Sequence, residues 1–197
     1  ELDEMHCRSL EEQKKRWFFR ENEKASGNPQ DTMGAEELRL LDNAEFALEL
    51  NCTSLYEEYL CQPLQAFLAS YWQKNYLTHS YFAGRIPDRF YIGNQFCHNL
   101  FPIEEQLFSI MDKVYSEGSE ITLVFSYIRE FMLSSVGKLL EKVDNWCCIH
   151  GVNVEIVVND WAMVEMLCGK TCRLRPVLGT VLNKRKKDPR LKYKSGD

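Results

Sequence analysis

Residues 154–163 read Val154-Glu155-Ile156-Val157-Val158-Asn159-Asp160-Trp161-Ala162-Met163. A β-branched, apolar run stops abruptly at an amide and a carboxylate, and a tryptophan follows at once. Such a run reads as a buried strand, and Trp161 to Leu167 reads as a short helix after it. Either Asn159 or Asp160 can cap that helix, because both side chains can accept from its free N–H groups. A charged group is costly where a buried strand ends unless it is hydrogen-bonded or used. The pair is therefore a candidate for a site as well as a cap.

The same alternation extends to both sides. Arg89-Phe90-Tyr91-Ile92-Gly93 reads as a strand. Ile103, Leu107, Ile110, Met111 and Val114 make one helix face, with Pro102 in its first turn and Gly118 as its stop. Ile121 to Phe125 is a continuous apolar strand of the kind buried on both faces. Val136, Leu139, Leu140, Val143 and Trp146 form the next helical stripe, which Gly151 ends. Val152 to Val158 and Pro176-Val177-Leu178 complete four strands. Strands alternating with helices predict βαβ units and an α/β fold with a parallel sheet.

Before residue 85 the pattern is helical. Leu10, Lys14, Trp17 and Phe18 suggest an amphipathic stretch, and Gly27 to Asp31 a loop. A helix is expected over Ala35–Leu50, and another over Ser54–Leu77 that Pro63 bends or divides. The organisation expected is a helical region at 1–85 and a βα-repeat domain at 86–197 with a basic C-terminal tail.

In parallel α/β folds ligands sit beyond the C-terminal ends of the strands. Four such ends fall at Gly93–Cys97, Ser126–Glu130, Asn159-Asp160 and Gly179–Asn183. Asn94, Cys97, Arg129, Asn159, Asp160 and Asn183 are the ligand-surface candidates. Cys97 follows a strand end and precedes a helix, a setting that activates a thiol.

Composition bounds the rest. The chain has 197 residues, 45% of them apolar, with a net charge of −5. Its first 60 residues are rich in Asp and Glu. The run from Lys184 to Lys194 carries seven positive charges, among them Lys184, Arg185, Lys186, Lys187 and Arg190. A basic run of this kind, with Tyr193 available to stack on a base, fits an RNA or an acidic protein partner. As a solvated tail it would carry no function. No stretch approaches the roughly 20 apolar residues of a membrane span, so no membrane role is expected. The start at Glu1 reads as a trimmed or processed product. Without a signal peptide the chain is expected to be cytoplasmic. Its eight cysteines then read as thiols rather than a disulfide framework. No CxxC pair occurs; Cys168 and Cys172 form a CxxxC pair.

Hydrolytic chemistry finds little support in the residues. Cys97 and His98 are adjacent, and neighbours in an extended segment point in opposite directions, which suits a nucleophile–base pair poorly. His79 and His150 read as structural. Neither a G-x-S-x-G elbow nor a phosphate-binding glycine loop is present.

The order Tyr91-Ile92-Gly93…Cys97, Ile121-Thr122-Leu123-Val124-Phe125-Ser126, Val158-Asn159-Asp160-Trp161 and Arg175-Pro176-Val177-Leu178-Gly179…Leu182-Asn183 resembles the peptidase U32 family, closest to its UbiV-like branch, over roughly residues 88–190. The resemblance implies a partial (β/α) TIM-like barrel, since a closed one takes about 250 residues. It also implies a [4Fe-4S] cluster, with Cys97 at the position of an early cluster cysteine. Cys168 and Cys172 do not match the later ones, so this chain supplies the ligand set only in part. The implied function is an accessory or catalytic subunit of an iron–sulfur-dependent system for oxygen-independent hydroxylation, working with a partner. Two other functions stay open: a non-catalytic binding module for a peptide, protein or anionic ligand, and, more distantly, a peptidase. Whether the chain is an enzyme is left open. Its open parallel sheet calls for a homo-dimer or a partner protein that completes the barrel.

Overall fold

The computed structural model describes residues 43–169 and 171–183. Residues 1–42, including the stretch around Trp17, and 184–197, including the basic run, lie outside the described residues. The described chain divides into two compact units, 43–46 with 62–86, and 47–61 with 87–183.

In the first unit, α2 (Leu64–Lys74) starts immediately after Pro63, so Pro63 opens a new helix rather than bending an old one. Phe46 stacks on Trp72 and on Phe82, with ring centroids 5.7 and 5.1 Å apart. The helix that ends before Pro63 is α1 (Thr53–Cys61), which belongs to the second unit.

The second unit is α/β. Its strands are β1 (Ala47–Leu50), β2 (Arg89–Gly93), β3 (Glu120–Val124), β4 (Val154–Val158) and β5 (Leu174–Leu178). All neighbouring pairs are parallel, and the order across the sheet is the order along the chain. The connecting helices are α3 (Glu104–Ser116), α4 (Leu133–His150) and α5 (Trp161–Leu167), and a short α6 (Thr180–Asn183) follows β5. The helix expected over Ala35–Leu50 is corrected at its end, because Ala47–Leu50 is a strand. Its exposed-buried alternation has period two, and pairing with β2 decides it, since four residues are too few for periodicity to tell strand from helix. The helical region before residue 85 therefore also contains the first strand of the sheet.

One face of the sheet is apolar throughout. Leu48, Leu50, Phe90, Ile92, Ile121, Leu123, Val154, Ile156, Val158 and Leu174 are all buried. So are the helix residues Leu107, Ile110, Met111, Val114, Val136, Leu140, Val143, Met163 and Leu167. A consecutive strand order with crossovers of one hand puts every connecting helix on one face. On this face Tyr59 of α1 meets Phe90 with centroids 5.1 Å apart, and Tyr56 donates to Leu100 O at 2.8 Å. Burial holds the Tyr56 phenol well above its usual range. Burial also raises Tyr59, whose hydroxyl hydrogen-bonds to Glu117.

β3 is buried on both faces over Ile121–Val124, as expected, and the second face pairs the buried Val124 and Val157 with a polar part nearer the N-terminal ends of the strands. Register aligns Glu49, Tyr91, Thr122, Glu155 and Arg175 in one row, with Arg89 beside Glu120 in the next. Arg89 donates through Nη1 to Thr122 Oγ1 and Glu155 Oε2, both at 3.0 Å, and pairs with Glu120 through Nη2.

Candidate functional site

Parallel strands end together, so the loops after β1 to β5 share one edge of the sheet, about 5 Å apart from strand to strand. Most of the candidates named from sequence stand on this rim, and the structure shows what their side chains do.

Asn159 is buried. It donates from Nδ2 to Phe125 O at 2.7 Å and accepts from Val181 N at 3.1 Å, so it ties the end of β3 to the turn after β5. Gly179 makes room for it: a Cβ there would lie 2.2 Å from Asn159 Oδ1. Asp160 caps α5 by accepting from Met163 N at 2.8 Å, and its other oxygen accepts from Ile128 N at 2.7 Å. Asn94 accepts from Phe96 N and Cys97 N and donates to Asn51 O at 3.2 Å. These three polar residues thus fix loops to one another. Arg129 is exposed just before the 3-10 turn Glu130–Met132, and Asn183 closes α6.

Cys97 needs a correction. It is half-buried and extended, and a three-residue 3-10 turn, His98–Leu100, follows it rather than an α-helix. So short a turn has no developed macrodipole to act on a thiol. Trp161, the first residue of α5, is 70% exposed at the rim.

Sequence reasoning missed what else the rim displays. Phe96, Ile103, Tyr127, Phe131, Trp161, Leu178 and Val181 are all exposed there. The available signal was a large apolar residue within three residues of the ends of four strands: Phe96, Tyr127, Trp161 and Val181. The polar part of the second sheet face was missed too, although each strand carries one charged residue there: Glu49, Arg89, Glu120, Glu155 and Arg175. Arg89, Glu120, Glu155 and Arg175 of that face border a cleft of about 410 Å³ beside the opposite, N-terminal edge of the sheet.

No family model, curated protein or solved structure matches this chain. No helix among the described residues is long and apolar enough to cross a membrane.

The implied iron–sulfur cluster can be tested against the donors present. Among the described residues no three His, Cys, Asp or Glu side chains converge. Cys97 lies on the rim, whereas Cys168 and Cys172 are exposed between α5 and β5, at the far edge of the sheet. A strand's length, roughly 16 Å, separates the two edges. The described residues do not by themselves fit a cluster.

Proposed function

We propose that this chain is a non-catalytic binding module, an arc of a (β/α) barrel whose C-terminal rim docks a protein partner. The observation that carries this reading is the division of labour on the rim. Asn94, Asn159 and Asp160 are engaged in holding the loops, while seven large apolar side chains stand in solvent around them. Fixed loops presenting aromatic residues match the composition of interface cores, which favour Trp, Tyr and Phe.

A contact across the rim supports the barrel arc. Thr180 Oγ1 and Gln95 Oε1 lie 2.7 Å apart, two residues beyond the ends of β5 and β2. The loops after β2 and β5 thus meet across the rim, over the ends of β3 and β4 between them.

A second reading is a U32-type iron–sulfur subunit whose partner supplies the remaining ligands. The rim position of Cys97 favours it. Anaerobic reconstitution with iron and sulfide separates the two. A colourless chain without bound iron is expected for the binding module, while broad visible absorbance lost in Cys97→Ser would replace it with the cluster reading. The docking face itself is tested with the chain as bait: a partner held by the wild type should be lost from Phe131→Ser/Trp161→Ser.

A further inference from the structure

We infer that the partner on the rim is a second copy of this chain, with the basic run of each copy laid against the acidic rim of the other. The inference rests on the reading of the rim as the binding face. The outer edge of β5 is closed to strand addition. Arg173 O accepts from Val154 N, and Gly179 N donates to Val158 O. Odd-numbered residues of β5 therefore point their backbone groups at β4, and Leu174, Pro176 and Leu178 point theirs outward. Pro176 has no N–H, so the middle of the outer edge lacks a donor for a further strand. Strand addition at this edge, the natural route for an open sheet, is blunted at its centre.

Apolar exposure is concentrated elsewhere. Among the described residues of the sheet-bearing unit ten large apolar residues are exposed, and seven of them, from Phe96 to Val181, belong to the rim. Only Tyr115 and Ile149 lie toward the opposite edge, which makes the rim the face with most to gain from burial.

Charge then selects the occupant. Glu57, Glu105 and Glu130 are exposed on segments that start at the rim, beside the exposed Arg129, and Glu104 pairs with Lys142 at 2.5 Å. A nucleic acid or an anionic bilayer would meet these carboxylates, whereas an occupant that brings cations would be attracted. This chain brings them. Residues 1–183 hold 17 basic and 27 acidic side chains, a net charge of −10, and residues 184–197 hold seven and two, a net charge of +5. The basic run leaves the chain directly after Asn183 at the rim, and 14 residues can reach up to about 46 Å. Rim on rim is a self-complementary contact of the kind a two-fold dimer uses.

Sedimentation equilibrium of the full chain tests this. The expected result is a dimer of twice 23.1 kDa at micromolar concentration, weakened when salt rises from ~0.05 to ~0.5 M. Phe131→Ser/Trp161→Ser, both at exposed sites and checked for an unchanged melting temperature, should weaken the dimer at least about tenfold. Lys186→Glu/Lys187→Glu should weaken it as well, and adding Glu105→Lys/Glu130→Lys to that variant should restore it. A dimer indifferent to the rim variant overturns the inference. A monomer at every concentration overturns it too. If that monomer still captures another protein through Phe131 and Trp161, the binding-face reading stands; if it does not, both fall.

Discussion

The carboxylate of Asp160 accepts the backbone N–H of Ile128, 32 residues earlier in the chain, at 2.7 Å. Its second oxygen caps α5 through Met163 N. One side chain therefore fixes the helix after β4 and the loop after β3 together, and only a carboxylate presents two acceptors in this arrangement.

This makes Asp160→Asn informative. If Asp160 only capped a helix, asparagine would replace it at almost no loss. Here the amide must turn its NH₂ toward one of two N–H donors and leave that contact unmade. The expected loss is about 1–3 kcal/mol in urea unfolding. A change below about 0.5 kcal/mol would show that the Ile128 contact contributes nothing.

Arg89 crosses three strands of the polar face, and its side chain is only 11% exposed. Arg89→Met should leave Glu155, 35% exposed, and the buried Thr122 without their shared donor. The expected loss is about 2–4 kcal/mol, below the range for a fully buried pair because solvent reaches Glu155. Arg89→Lys should recover little of it, since an ammonium cannot fork between Thr122, Glu155 and Glu120. Full stability in Arg89→Lys would mean that charge alone, not the guanidinium fork, supports this face.

The cysteines should separate by reactivity. Cys61, Cys148, Cys168 and Cys172 are exposed and should label before the half-buried Cys97, with the buried Cys147 last. Burial pushes the Cys147 thiol up to about 12, and the charge of Asp144 adds to this. The unfolded thiol ionises near 9. Above that pH the unfolded chain releases a proton that the native one retains, so stability is full below about 9 and falls as pH climbs toward 12. Urea midpoints from about pH 8 to about pH 11 should decline, less steeply in Cys147→Ala. An equal decline in that variant would assign the slope to Tyr56 and Tyr59 alone.

The sequence by itself determined the local grammar. The apolar runs at Phe90, Ile121 and Val154, each followed by a helical stripe, required parallel strands, because period and punctuation are local properties. Trp161–Leu167 was legible to the residue, since its cap and strand flank it directly. The short strand Ala47–Leu50 was not legible, because its identity comes from pairing with Arg89–Ile92 some 40 residues away. The roles of the candidate residues were decided by tertiary structure as well. Whether Asn159 and Asp160 face a ligand or hold loops depends on where Phe125, Ile128 and Val181 arrive, and a linear pattern does not carry that distance. The rim's apolar display is of the same kind. Nothing in the linear pattern sets Phe96, Phe131 and Trp161 apart, and only the folded chain leaves them in solvent, because the helix-covered face of the sheet is already filled.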